Sequence, residues 1–581
     1  MKYQLKSKNY NCEPAETILN DLLISRGITE PVDWMNPDDR FELNPFIMSD
    51  MGKALNIFNN VLKGQEPSIG VIVDSDVDGY MSGAIIIKLL KNVNKPIAVT
   101  PILHPGKEHG IILEELPEDL DLLIVPDAGS SDKDQHIKLL NNGTKIIILD
   151  HHEYGNDLDY GNQIDNIAIV NTMRDNYPNP ALSGAGVALK FAKAYYEDKG
   201  MPFPMKLYSL AACGLISDVM DISALENKYI IDTGLKYMTE DVFLYELIKK
   251  AHYNIEKPKP SIKDVGWVIG PNINSIIRLG TLEQKAIILK AMISPLSLVN
   301  NSSRGHDGEQ IPAYIEAVKL CNNAKKRQTT AVNKCINIIS KDLDLQSNNI
   351  VYVDEDQELN FELSGLIANK LLSEYNRPVI LLRHYTDGKD IDQYRGSIRG
   401  KPAVGFDSFK DTLQDISGVS FVQGHAFAAG IGIERDMLSE FKAHLNEVLA
   451  PYNFNENVYN VELESSVREL NIEAARIFGR DDIWCHGVEK PNAVITDIPS
   501  TNYQCMGSEL QHVKIDCGKF DVVIFNDKKL SEALQNGEKY NLSAVGEFDI
   551  DKSYNVGRLQ FVVKEYELKE YTDIPIWDYV F

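Results

Sequence analysis

Three short apolar runs in the first third of the chain end in acid or histidine. IGVIV runs into Asp74-Ser75-Asp76-Val77-Asp78-Gly79, LLIVP into Asp127-Ala128-Gly129, and KIIIL into Asp150-His151-His152. A fourth acid, Asp218, follows the apolar helical stretch LYSLAACGLIS. Hard carboxylate oxygens combined with imidazole suit Mn²⁺ or Mg²⁺. Clustered carboxylates repel one another unless cations lie between them, and two metals sharing one carboxylate would neutralise that charge and activate a water. Along an extended strand end, Asp76 and Asp78 are expected to point to the same side. The simpler alternative is that strand-end aspartates cap the helices that follow. Three such strand ends, one of them with adjacent histidines, favour the metal.

These groups can meet only if their strands share one sheet edge. IGVIV, KPIAVTPIL, DLLIVPD, KIIILD and IAIVN are short and rich in β-branched residues, and they alternate with helical or turn-rich segments such as GAIIIKLLKNV. That alternation predicts an α/β fold with a parallel sheet. The carboxyl ends of its strands then lie on one edge, where ligands bind. Residues from about 180 to 300 are mainly helical, and 310–344 read as a long connecting helix. NNIVYVD, LSGLIANKLLSEY and PVILLRH begin a second α/β block that runs to about 450. From about 455, short strands such as NAVITDI, HVKIDC, FDVVIFN and YNLSAVGEFDI predict a small β-barrel.

Composition narrows the class. The 581 residues carry 84 acidic and 59 basic side chains, a formal net charge of −25. That argues against a generally basic nucleic-acid surface. It does not exclude phosphate contacts confined to one groove around an acidic, metal-holding centre. The seven cysteines include no CxxC pair, which predicts reduced thiols in a cytoplasmic protein. No apolar run approaches the roughly 18 residues of a membrane span, and MKYQLKSKNYNCEPAE lacks a signal-peptide core. No Walker or dinucleotide fingerprint occurs.

DSDVDG, VPDAG and LDHHE resemble the successive motifs of the DHH phosphoesterase superfamily, and the chain is most similar to its RecJ branch of single-strand-specific 5′→3′ DNA exonucleases. LLISRGIT, LNPF and MGKAL resemble that branch's lead-in, and LSGAGVALKFA, GLISDVMD and GPNINSIIRLG its later motifs. RGSIR and QGHAFAAG resemble the DHH-associated domain, and AARIFGRDD, HVKIDC and VVIFN an OB-fold domain. The resemblance implies a lead-in over 1–50, a DHH catalytic domain over 51–305 and a connecting helix over 306–345. A DHH-associated domain over 346–452 and an OB-fold-like barrel over 453–581 would follow.

It further implies Mn²⁺ or Mg²⁺, two ions per active site, held by Asp74, Asp76, Asp78, Asp127, His151 and Asp218, with Asp127 bridging and His152 on the scissile phosphate. Asp76, Asp78, Asp127, His151, His152 and Asp218 would be the catalytic set. One departure is Ile72, which stands where many relatives carry a metal-binding histidine. DNA contacts would come from Lys107, His109, Ser183, Arg278, Arg395, Ser397, Arg399, Gly424 and His425. The implied activity is release of 5′-mononucleotides from single-stranded DNA in recombination, repair or replication, with a single-strand-binding protein or helicase as partner. Two alternatives are a DHH phosphodiesterase for short oligonucleotides or cyclic dinucleotides and a non-catalytic replication relative. The 127 residues from 455 to 581 favour the polymer substrate.

Overall fold

The computed structural model describes residues 1–6, 8–106, 108–155, 159–174, 177–252, 254–306, 308–341, 349–355, 358–386, 391–454, 456–551 and 557–572. They fall into two compact units. One comprises Leu5–Asn322 with Asn460–Phe581, the other Met1–Gln4 with Asn323–Tyr459.

The larger unit is built on a five-stranded sheet of β1 (Ser68–Val73), β2 (Ala98–Leu103), β3 (Leu122–Pro126), β4 (Lys145–Asp150) and β5 (Ile167–Asn171). All pairings are parallel and the spatial order is β2-β1-β3-β4-β5. The runs are continuously apolar because both sheet faces are covered. Ile72, Ile102, Leu123, Ile146, Ile148 and Ile169 form one buried cluster, each fully buried aliphatic side chain contributing roughly 1.5–3 kcal/mol. Strand order reverses between β1 and β3. In such sheets the crevice outside the strand ends at that reversal is where ligands bind. Asp74 follows β1 and Asp127 follows β3, on either side of it.

Four helices complete that edge. α1 (Val77–Asn92) begins earlier than the apolar run GAIIIKLLKNV suggests, because the Asp76 carboxylate accepts from Gly79 N at 2.9 Å and caps it. Asp78 therefore lies in the first helical turn, not on an extended strand end beside Asp76. α2 (Gly184–Asp198) is capped by Ser183, and α3 (Leu207–Ser217), almost wholly buried, ends just before Asp218. α4 (Leu282–Ile293) starts in a capping box made by Thr281 and Gln284. A long helix spans Ala313–Ile339, after a short strand Gln310–Pro312.

Residues from 460 onward join the same unit. β6 (Leu463–Ser466), β7 (Asn492–Pro499), β8 (Tyr503–Met506), β9 (His512–Asp516), β10 (Asp521–Ile524), β11 (Tyr540–Asp551) and β12 (Arg558–Glu570) form one sheet in the order β6-β7-β11-β12-β10-β9-β8. Among the described residues the strands expected to build a barrel form one seven-stranded sheet with β6 and β8 as its outer strands. Short alternating strands specify pairing but not closure, which depends on whether the two edges meet.

The smaller unit carries a mixed sheet of β13 (Ile350–Val353), β14 (Val379–Thr386), β15 (Asp392–Arg399), β16 (Val419–His425) and β17 (Ala428–Glu434), in the order β16-β17-β15-β14-β13. Ile380, Leu382, Ile398, Ile431 and Ile433 bury one face against Phe409, Phe441, Leu445 and Leu449. Among the described residues no helix is long and apolar enough to cross a membrane.

Candidate metal centre

The three strand ends and Asp218 converge. His151 Nε2 lies 3.2 Å from Asp127 Oδ1, 3.5 Å from Asp218 Oδ2 and 3.9 Å from Asp78 Oδ2. Three overlapping groups have ligand atoms within 4.8 Å of one another: Asp74–Asp76–Asp127, Asp78–His151–Asp218 and Asp127–His151–His152. Asp127 and His151 each belong to two. Asp127 sits at φ 64, a left-handed conformation that aspartate tolerates better than most residues. Its backbone N–H donates to Leu149 O at 2.8 Å, which ties its turn to β4.

The carboxylates are held rigidly. Asp78 accepts from Ser183 Oγ at 2.9 Å, Gly184 N at 2.6 Å and Ala185 N at 3.1 Å, so it rests on the positive end of α2. Asp74 accepts from Gly110 N at 3.1 Å and pairs with His109 Nδ1 at 2.8 Å. Asp150 accepts from the backbone N–H of His151 at 2.8 Å, and His152 Nδ1 meets the same oxygen at 2.8 Å. Close approach requires glycine at two helix positions. A Cβ on Gly214 would meet Asp78 Oδ1 at 2.0 Å, and one on Gly184 would meet Asp127 Oδ1 at 2.3 Å.

The electrostatics call for a cation. Burial, then the charges of Asp78, Asp76, Asp74 and Asp218, pushes the Asp127 carboxyl well above the usual carboxylate range. Burial and the neighbouring Asp78 and Asp76 raise Asp218 to about 8, and burial with Asp74 and Asp78 raises Asp76 to about 6. Burial lowers His151, which favours the neutral imidazole that can bind a metal. Burial alone would also lower His152, but the hydrogen bond and charge of Asp150 outweigh it and raise His152 to about 9. Asp127 Oδ1 and His151 Nε2 are buried without a hydrogen-bond partner among the described residues. Buried polar atoms are rarely left so. Orphaned oxygen and nitrogen donors facing one another within an acidic cluster fit Mn²⁺ or Mg²⁺.

The remaining expected residues are distributed unevenly. Ser183 is fully buried, with its hydroxyl on Asp78 and the Gly186 N–H, so it scaffolds the acids and is not a DNA contact. His109 reaches Asp74 and stands edge-on to the His152 ring at 5.0 Å, inside the centre itself. Ile72 belongs to the apolar cluster within the sheet. Lys107 lies outside the described residues. Arg278 is half-buried on the last turn of the helix Gly270–Leu279.

Arg395, Ser397, Arg399, Gly424 and His425 belong to the smaller unit. Alternation along β15 puts Arg395, Ser397 and Arg399 on one face. Register through β17 aligns them with Phe421, Gln423 and His425 of β16. Arg395 stacks on Tyr385 at 3.9 Å, Ser397 Oγ lies 2.8 Å from Ser364 Oγ, and His425 is exposed. Gly424 has φ 130, and a Cβ there would strike Ala428 O at 2.7 Å. The residues missed from sequence are Asp150, Gly184 and Gly214. Asp150 was visible only as the last residue of the strand run KIIILD, and the GAG of LSGAG and the single glycine of LYSLAACGLIS were the only signals of the other two.

Acids and histidines on the carboxyl edge of a reversed parallel sheet define a DHH-type catalytic domain. Residues 68–215 match the model of the DHH family, N-terminal domain. The chain is 34% identical over 505 residues to the putative SPbeta prophage-derived single-strand DNA-specific exonuclease YorK of Bacillus subtilis, covering 86% of this chain and 85% of that protein. The single-stranded-DNA-specific exonuclease RecJ of the same species is 24% identical over 576 residues, 95% of this chain and 68% of RecJ. The crystal structure of RecJ in complex with Mn²⁺ from Thermus thermophilus shares the fold, with a TM-score of 0.71 at 19% identity over 98% of this chain and 80% of that one. The chain belongs to the DHH family, in its RecJ-like group.

Proposed function

We propose that this chain is a metal-dependent, single-strand-specific DNA exonuclease that works 5′→3′ and releases 5′-mononucleotides. The observation that carries this reading is the meeting of Asp127 and His151, both with orphaned ligand atoms, among four further carboxylates at the sheet's reversal point. Its relatives' names and the Mn²⁺ and Mg²⁺ complexes of RecJ support the same conclusion.

In this reading Asp74, Asp76, Asp78, Asp127, His151 and Asp218 would hold the metal, Asp127 belonging to two of the three donor groups. Bound Mn²⁺ or Mg²⁺ would supply Lewis-acid charge to the phosphodiester and lower the pKa of an attacking water. The protein's own groups do the rest. Asp150 keeps His152 protonated at neutral pH, so a half-exposed cation stands at the mouth of the acid cluster to meet a phosphate oxygen. The hydrogen bonds of α2 to Asp78 keep that carboxylate from moving as charge builds.

Backbone contacts come from Arg278 and from the row of Arg395, Ser397, Arg399 and His425, with Gly424 allowing close approach. The five-part domain division expected from sequence is retained as a functional one. The pathway is recombination, repair or replication in the cytoplasm, where a helicase or single-strand-binding protein would present the strand. The test is digestion of matched single-stranded and blunt duplex DNA with Mn²⁺, Mg²⁺ or chelator. Metal-dependent loss of the single strand alone is expected, and equal digestion of duplex or full activity in chelator refutes the reading.

A further inference from the structure

We propose that Trp267 and the cavity beside it receive one base of the single strand. The inference rests on the nuclease reading above and adds a contact outside the metal centre and outside the residues proposed for the DNA backbone.

Trp267 sits in the π turn Val265–Ile269, between the helical turn Ile262–Asp264 and the helix Gly270–Leu279. Single π turns within helices are frequent at functional sites. The residue is 78% exposed, although tryptophan is ordinarily well buried. Val265, Ile269, Ile273, Ile276 and Ile277 fill the core side of the run, so packing does not account for the ring. Trp267, Pro271, Asn274 and Arg278 recur at helical spacing, and all four are exposed or half-buried. They make one solvent-facing row, about 16 Å long by the ordinary helical rise. An aromatic ring stands at one end and the guanidinium proposed for the DNA backbone at the other. The row is close to the catalytic edge. A Cβ on Gly270 would stand 3.1 Å from Ser217 Oγ, and one on Gly266 3.9 Å from Ile216 Cγ2. The run therefore packs on the last turn of α3, beside Asp218.

Next to the indole is a cavity of about 350 Å³, with apolar walls from Ala251, Ile255, Val268 and Ile550. Its charged groups decide what enters. Asp264 meets His252 Nε2 at 2.5 Å, and Asp549 pairs with Lys263 and lies 3.6 Å from Lys490 Nζ. Asp551 accepts from Gln560 Nε2 at 2.8 Å, and Asp481 is a fourth acid in the lining. The lining lysine is thus committed to a carboxylate, and a phosphate inside would face four acids. An uncharged, flat base meets no such penalty. Apolar walls with a few polar groups suit a ring of that size, and the indole face stacks on any base. The base enters the cavity, and its phosphate stays outside on the row that leads to Arg278.

The test measures binding of full-length, chelator-treated protein to a 3′-fluorescein thymidine strand of about 20 nucleotides, by anisotropy. A single abasic site is then moved along the strand, whose 5′ end in the metal centre sets the register. For the native protein, one abasic position should weaken binding at least ~5-fold. Trp267→Ala should lose the same factor on the intact strand and show no further loss at that position, while Trp267→Phe, which still stacks, keeps most of the affinity. Native affinity in Trp267→Ala, or a native abasic profile in that variant, overturns the inference and leaves the nuclease reading standing. Emission from Trp267, taken as native minus Trp267→Phe, should be quenched by the strand. Quenching by an oligo-arginine peptide and not by the strand overturns the inference in favour of a protein partner. Failure of the native protein to bind any single strand refutes the nuclease reading as well.

Discussion

Replacing Asp218 by asparagine should stabilise the metal-free protein at high pH while destroying its activity. Asp218 is three-quarters buried, and burial together with Asp78 and Asp76 raises its pKa from 3.8 to about 8. A tenfold change in proton affinity is worth about 1.4 kcal/mol, so ionising Asp218 within the fold costs on the order of several kcal/mol. A carboxyl raised on folding favours the native state at pH values where the unfolded chain also keeps the proton. That contribution fades from about pH 4 and is lost as pH rises through about 8. The amide avoids the charge but carries its own desolvation cost, so the net gain expected at pH 8.5 is roughly 1–3 kcal/mol, with little or none at pH 4. Urea unfolding of chelator-treated native and Asp218→Asn proteins at both pH values measures this. Mn²⁺-supported cleavage by the variant should fall by roughly 100-fold or more, since a ligand position is lost. Equal stability of the two proteins at pH 8.5, or the same gain at pH 4, would refute the claim that like charge strains the empty centre.

Asp127→Ala should abolish cleavage yet leave single-strand binding largely intact in a gel-shift assay, because the proposed phosphate contacts lie on other elements; native-like turnover would remove Asp127 from the centre. Asp150→Asn removes the charge that raises His152 to about 9. The imidazole should then fall toward its ordinary value of about 6.5, so the ratio of variant to native cleavage should drop between pH 6.5 and 8.5. Gly214→Ala would set a methyl 2.0 Å from Asp78 Oδ1 and 2.6 Å from Ala185 Cβ. Overpacking of this kind costs about 1–3 kcal/mol, read as a lower Tm, and a displaced Asp78 should reduce turnover by roughly 100-fold.

The catalytic sheet was legible because β1, β3, β4 and β5 are covered on both faces and read as short apolar runs rich in Ile, Val and Leu. The convergence of Asp74, Asp127 and His151 followed from that, since parallel strands end on one edge. What lay beyond reach was local geometry. Whether Asp78 extends β1 or opens α1 depends on a single hydrogen bond from Gly79 to Asp76. Ser183 and His109 are residue types that contact DNA as readily as they buttress an aspartate, and only their neighbours decide. Ser183 is turned inward because α2 begins on Asp78, and His109 is drawn to Asp74 by a loop that Lys285, 176 positions further along the chain, holds in place. The C-terminal strands were recognisable one by one, but the seven-stranded order mixes parallel and antiparallel neighbours that no local pattern encodes.

The proposed activity is removal of nucleotides from the 5′ end of a single strand by this acid-and-histidine edge. Digestion of one oligonucleotide labelled at either end, followed over time with Mn²⁺, tests it most directly. The 5′ label should appear at once as a mononucleotide, while the 3′ label stays on shrinking fragments until late. A 3′ label released first, or either label released at full rate after metal removal, would rule that activity out.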